Sequence, residues 1–189
     1  MKVSNKILTA VIIITVAALA AYNIEAQGKI YKIGDKGPAG GWIFYDKGNS
    51  SGGWRYLEAA LEDQGSAKWG CYGKTIPGAN GTAIGTGKSN TQTIIKNCAE
   101  AGISAKVAVA YRGGGKSDWF LPSKDELILM YSNLHKAGKG GFKQESYWSS
   151  TDLNANSAYN HRFAFRGEGN LGEVGLKDNY IPVRPIRAF

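Results

Sequence analysis

Amides, phenol rings and cations gather late in this chain, at Asn154, Asn156, Tyr159, Asn160, Arg166, Asn170, Lys177, Asn179 and Tyr180. Aromatic rings offer stacking platforms with a polar tip, and neighbouring amides suit sugar hydroxyls. Arg166 and Lys177 add donors for an anionic group. These nine residues form the candidate ligand-binding set. Turn formation accounts for the same Asn residues, because Asn and Gly are good turn formers. The sequence leaves the two readings open.

No catalytic constellation stands out. Glu58, Glu62 and Asp63 imitate a carboxylate cluster, and a solvated turn is the plainer reading. His161 falls on an aromatic strand face. His135 follows a helix beside Lys136, where a cation is favourable. Geometry with a partner must precede any general acid–base role. Ala110 to Ser117 fits a permissive phosphate-loop pattern, yet Pro122 follows soon after the lysine and prevents an ordinary helix there. No metal and no cofactor are expected. Cys71 and Cys98 are not in a CxxC pair, and the two histidines are not at ligand spacing. In an oxidising compartment this even pair predicts a disulfide, worth roughly 3 kcal/mol on the chain-entropy account.

These residues need elements to hold them. Trp42 to Tyr45 reads as a buried strand, and Trp54 to Ala60 as a second. Gly65 to Lys88 is a long glycine-rich connection of the kind that is functional or pinned. Ser89 or Asn90 caps a helix through Ile94, Ile95 and Cys98, and Ser104 opens another over Ala105 to Tyr111. Ser123 and Glu126 have capping-box spacing ahead of Leu127, Ile128, Met130, Tyr131 and Leu134, with Gly138 as the stop. Strands are then predicted at Ser146 to Thr151, Tyr159 to Arg166, Gly172 to Leu176 and Tyr180 to Phe189. In the second of these, Tyr159, His161, Phe163 and Phe165 share one face. Helices in the middle and strands grouped late indicate an α+β class. Of the five tryptophans, Trp42, Trp54, Trp119 and Trp148 are expected in the core.

Residues 1–26 read as an export signal, with Lys2 and Lys6 ahead of an uncharged run from Ile7 to Tyr22. That run falls short of the ~20 residues that span a bilayer, and a retained N-terminal anchor is the alternative. Residues 27–189 suit a single domain. The expected location is secreted, periplasmic or cell-surface. Loss of the leader lowers the formal net charge of +8 by only one unit. Such a balance favours acidic partners. The partner expected is a glycan or another anionic surface ligand, with an envelope protein as a further one. Nucleic acid is not expected, and membrane contact only if the leader stays attached.

Several segments carry a family resemblance. They are Gly40 to Tyr45, Trp54 to Ala60, Asp118 to Ser123 with Glu126-Leu127, Tyr147 to Ser150, and Val183 to Arg187. Together they resemble the bacterial Lcl C-terminal domain family. The resemblance implies a C-type-lectin-like fold, with two helical regions on a twisted, mainly antiparallel sheet. It also implies kinship with the formylglycine-generating-enzyme branch. Some members of the family look like adhesins. The implied function is a non-catalytic binding module working through its late loops; a structural or assembly part of the envelope is the alternative. An enzyme of the formylglycine-generating type is the least favoured reading, because the last cysteine is Cys98. Calcium-dependent sugar binding does not carry over, since Ile181-Pro182-Val183 offers no oxygen side chains.

Arg184 and Arg187 sit among Val183, Ile186 and Phe189 in the last strand. A guanidinium near a core needs partners. In the implied fold the nearest carboxylates are Glu126 and Asp125, so a strand-to-helix ion pair is expected.

Overall fold

The computed structural model describes residues 29–164 and 172–189. The leader, together with Phe165, Arg166 and Asn170, lies outside the described residues. Three small antiparallel sheets carry the framework. The first joins β1 (Trp42–Asp46), β2 (Tyr56–Ala59) and β8 (Ile186–Ala188) in that order. The second pairs β3 (Ser66–Ala67) with β7 (Ile181–Pro182). The third runs β4 (Ser146–Asp152), β5 (Ser157–Arg162), β6 (Glu173–Leu176). Helices α1 (Gly87–Asn97), α2 (Ser104–Ala110) and α3 (Lys124–Asn133) lie between β3 and β4 in sequence. The class is α+β. Residues 31–189 form one compact unit. Among the described residues no helix is long and apolar enough to cross a membrane.

Two apolar clusters fill this unit. One gathers Trp69, Ile94, Ile103, Ala108, Leu121, Trp148 and Val183 around α1 and α2. The other gathers Phe44, Leu57, Phe120, Leu127, Met130, Tyr147, Phe163 and Ile186 around α3. Trp119 anchors a third, smaller group with Ala39 and Ala60. Three consecutive residues, Trp119, Phe120 and Leu121, therefore enter three different clusters. A bridge between Phe120 and Ile186 fixes the segment against the last strand.

Strand β5 departs from the expected half-buried pattern. Ala158 joins the α1/α2 cluster and Phe163 joins the α3 cluster. Asn160 and His161 are both buried, so each face of this strand serves a core. Tyr159 shares its face with His161 but is only half-buried, with Lys124 Nζ 4.9 Å from its ring. The expected strand Tyr180 to Phe189 is split into β7 and β8. Pro182 and Pro185 offer no ladder donor, which limits continuous pairing. Trp42 and Trp54 are half-buried under lysines, Lys36 Nζ at 3.3 Å and Lys47 Nζ at 3.9 Å from the rings. Trp69 takes the core place expected of them. His135 is buried against Tyr131, Phe142 and Phe163, and burial holds its imidazole below its usual pKa. It is a core ring and not a helix-end cation.

The expected pairing of Arg184 or Arg187 with Glu126 or Asp125 is overturned. Strand β8 pairs with β2, which sets Arg187 directly opposite Glu58. Arg187 Nη1 lies 3.0 Å from Glu58 Oε1, and its Nε and Nη2 grip both oxygens of Asp118 at 2.8 and 2.9 Å. Arg184 Nη2 meets Asp63 Oδ1 at 2.6 Å, and Arg184 Nη1 donates to Gly140 O at 2.7 Å. Glu58 and Asp63 are thus not a solvated turn. Burial raises the Glu58 carboxyl above its usual range, against the pull of Arg187. The Arg187 guanidinium holds Asp118 below it.

Glu126 is spent elsewhere. The capping box of α3 is complete, with Ser123 N donating to Glu126 Oε2 at 2.7 Å and Glu126 N donating to Ser123 Oγ at 3.3 Å. Glu126 Oε1 also accepts from Gly85 N at 2.8 Å. Asp125 contributes its backbone N–H to Thr82 O. Gly138, at φ +67, closes the short turn after α3.

Burial pushes the Glu126 carboxyl up from 4.5 to about 7, against the pull of the N–H groups of Ser123 and Gly85. The folded protein therefore keeps this proton to higher pH than the unfolded chain. Stability from this group is whole below the unfolded value and falls as pH rises through about 7. Urea melts of wild type and Glu126→Gln should show this as a change in their difference. Between about pH 4 and about pH 8 it should move against wild type by up to about 3 kcal/mol. A difference that does not vary with pH would mean that Glu126 is ionised throughout in the folded state.

Candidate functional site

Three loops meet at the end of the β4–β5–β6 sheet where β4 turns into β5. They are residues 70–74, 153–156 and 177–180. Gly73 N donates to Ala155 O at 2.9 Å, Lys177 N to Asn156 O at 2.9 Å, and Gly70 N to Lys177 O at 3.1 Å. The first loop is tied to the end of α1 by the expected disulfide. Cys71 and Cys98 are joined, with Cα atoms 5.9 Å apart. Cys71 has φ +51, in the left-handed region that a β-carbon disfavours. The bridge and a hydrogen bond from Cys71 N to a Glu100 carboxylate oxygen at 2.8 Å hold it there.

Beneath the loops lies a buried ion pair. Lys177 Nζ is 2.7 Å from Asp152 Oδ1, and both side chains are sealed from solvent at 0% and 1% exposure. Asp152 Oδ2 accepts from Ile76 N at 2.6 Å. Lys177 Nζ also donates to Lys74 O at 2.7 Å and stands 4.5 Å from the Trp69 ring. Each charge therefore has its ion partner and a backbone partner, which a buried pair needs. Lys177 is a pin under the loops and does not reach a ligand.

The other expected site residues divide. Asn154, Asn156, Asn179 and Tyr180 are exposed at this loop end, Tyr180 at 70%. Asn154 Oδ1 accepts from the N–H groups of Asn156 and Ser157, so its oxygen shapes the turn. Asn179 N closes a turn onto Leu176 O. Tyr159 lies two positions into β5 from this end. Asn160 is buried at the level of Trp148, its partner in the β4–β5 register, and is removed from the ligand set. Arg166 and Asn170 lie outside the described residues.

Tyr72 is the residue that sequence reasoning missed. It is 52% exposed, between the bridged Cys71 and Gly73. Its signal was a ring beside a pinned cysteine in a long connection. Lys68 Nζ stands 5.7 Å from the Tyr180 ring and supplies a cation there. Leu153 is also exposed on the same end. Two rings, three amides and a lysine on pinned loops can stack on a ring face, bond hydroxyls and attract an anion.

Among the described residues, the one His/Cys/Asp/Glu group close enough to hold an ion is Cys71, Cys98 and Glu100. Both sulfurs are consumed in the bridge, so the group offers no thiolate. The Ala110 to Ser117 segment follows α2 and runs through a 3-10 turn at Gly113–Gly115, without the strand-then-helix setting of a phosphate loop. In comparisons with known proteins, no family model and no curated sequence matches this chain.

The pin and the rings should separate cleanly in stability measurements. Lys177→Met or Asp152→Ala leaves one buried charge alone and should cost about 3–5 kcal/mol. Tyr180→Ala removes an exposed ring and should stay within about 0.5 kcal/mol. Chemical denaturation measures both. Equal small losses would mean that the ion pair is hydrated in solution.

Proposed function

We propose that this chain is an exported, non-catalytic binding module of the C-type-lectin-like kind, similar to the Lcl C-terminal domain family. It recognises a glycan or another anionic surface ligand through residues 70–74, 153–156 and 177–180. The observation that carries this reading is the setting of exposed Tyr72 and Tyr180, with Asn154, Asn156 and Asn179, on loops pinned from below by Lys177–Asp152 and Cys71–Cys98. Loops carry function when a rigid scaffold positions them. The kinship in fold is supported by the α+β class, with two helical regions followed by antiparallel strands. An oxidising compartment is supported by the disulfide. The non-catalytic reading is supported by the chemistry spent inside the fold: both cysteines are bridged, and Glu58, Asp63, Asp118 and Asp152 are bound to cations.

A second reading, an assembly component of the envelope, has its own observation. Among the described residues strand β6 is an edge strand, and it exposes Val174 and Leu176. Such an edge invites another chain.

A glycan array followed by titration at increasing salt tests the first reading. Binding should weaken with salt, because exposed charges are screened. Tyr72→Ala and Tyr180→Ala should each lower affinity about tenfold, or ~1.4 kcal/mol, with the thermal melt unchanged. Absence of binding to every glycan and every anionic surface tested would sink the module reading and leave the assembly reading standing.

A further inference from the structure

A separate cleft opens at the other end of α1, between its first turns and residues 52–54. Its volume is about 350 Å³, within the small-ligand range of ~300–1,000 Å³. Trp54 is half-buried on one wall, with Lys47 Nζ 3.9 Å from its ring and Tyr45 tilted against it. Lys47 Nζ also donates to Ser51 O, which holds the ammonium at the ring. Gly52 and Gly53 beside Trp54 are exposed, and a Cβ on either would meet nothing within 4 Å, so their backbone is open to a ligand. Lys88, Ser89 and Gln92 are exposed on the α1 wall. Ser89 Oγ donates to Thr86 O at 2.8 Å and keeps its lone pairs to accept. Leu57, Phe120 and Glu126 close the cleft from behind; they are buried and reach no ligand.

The charge at this mouth is positive and uncommitted. Among the described residues neither Lys47 nor Lys88 belongs to an ion pair. Asp118, which feels the charge of Lys88, is gripped at both oxygens by Arg187. Glu126 has its oxygens taken by Ser123 N and Gly85 N, and burial favours its neutral form, so it opposes an incoming anion only weakly. We propose that this cleft is a second site, separate from the three-loop end, and that it binds a pyranose residue carrying an acidic group. The acidic group meets Lys88, with Lys47 on the facing wall. The apolar C–H face of the sugar lies against the Trp54 indole. Its hydroxyls bond the Gln92 amide, which donates and accepts, and the free lone pairs of Ser89 Oγ. Helix α1 separates the two sites: its first turn lines the cleft, and Cys98 just past its end holds the 70–74 loop. At 1.5 Å per residue, a helix of 11 residues is about 16 Å long.

The test is a titration of the full chain with methyl glucuronide, methyl galacturonide and glucose 6-sulfate, and with methyl glucoside as the neutral control. It is read by NMR at the Trp54 indole N–H and the Ser89 and Gln92 amides. At least one acidic probe should shift these signals saturably, more weakly as salt rises. Methyl glucoside should bind about tenfold more weakly. A response to the two uronides alone assigns a carboxylate, and a response to the sulfate as well assigns any anionic substituent. Lys88→Gln should weaken binding of the acidic probe about tenfold, while Lys88→Arg retains it. Ser89→Trp should abolish it by filling the mouth. Both positions are exposed, so the fold survives these changes. Tyr180→Ala should leave it unchanged, which keeps this site distinct from the loop end. No saturable shift with any acidic probe, an equal affinity for methyl glucoside, or binding indifferent to Lys88→Gln overturns the proposal. Shifts confined to residues 70–74, 153–156 and 177–180 would overturn it while leaving the module reading intact.

Discussion

The buried carboxyl of Glu126 is the constraint on which this structure turns. It starts α3 by closing the capping box with Ser123, and it receives Gly85 N from the loop that leads into α1. One side chain thereby fixes the origin of one helix and the approach to another. The close fit leaves no room for change: a Cβ on Gly87 would stand 2.2 Å from Glu126 Oε2. Once Glu126 is seated, Ser123 Oγ reaches Ala83 O, Asp125 N reaches Thr82 O, and Thr151 of β4 reaches Gly81 O. The Gly81–Gly87 part of the glycine-rich connection is ordered in this way by hydrogen bonds, while Trp69, Ile76 and Ala79 earlier in it pack into the core. Burial resists the ionised form of the acid, so the same contact that organises the loop carries an electrostatic cost near neutral pH.

Charge does similar work at the chain's last strand. Arg187 links β8 to Glu58 of β2 and to Asp118 ahead of Phe120. Arg184 gathers Asp63 with the carbonyls of Ala60 and Gly140. Buried ion pairs add little net stability over apolar packing, but removing one partner is costly. Their value here is in register. Strand β8 is three residues long and pairs over only three positions. So short a ladder specifies its alignment weakly. A guanidinium with two carboxylate partners holds one register and penalises the slipped ones.

The elements with local signals were legible in the sequence. Trp42 to Tyr45, the capping box at Ser123 and Glu126, the helix behind it and the Cys71–Cys98 pair all announce themselves within a few residues or by simple counting. The partners of the arginines do not. Arg187 and Glu58 are 129 positions apart, and Arg184 and Asp63 are 121 apart. Only the pairing of β8 with β2 decides between these acids and those of α3. Alternation misassigned β5 for a related reason: the rule assumes one covered face, whereas this strand separates two clusters. Lys177 shows the same limit at the site. A lysine in a loop reads as a surface cation until the fold puts Asp152 beside it.

That buried lysine bears on how the loop end would bind. Ordering loops on association costs free energy, and a preorganised site avoids part of that cost. The 70–74, 153–156 and 177–180 loops are ordered in advance by a charge pair, a disulfide and backbone bonds that cross from loop to loop. The cation that supplies this order is neutralised by Asp152 and sealed, so it lends almost nothing to the surface field. Attraction for an anionic ligand must come from lysines on the rim, of which Lys68 beside Tyr180 is the best placed. Rigidity and charge are therefore carried by different lysines. A substitution at Lys177 would act through the shape of the site, and one at Lys68 through its salt dependence.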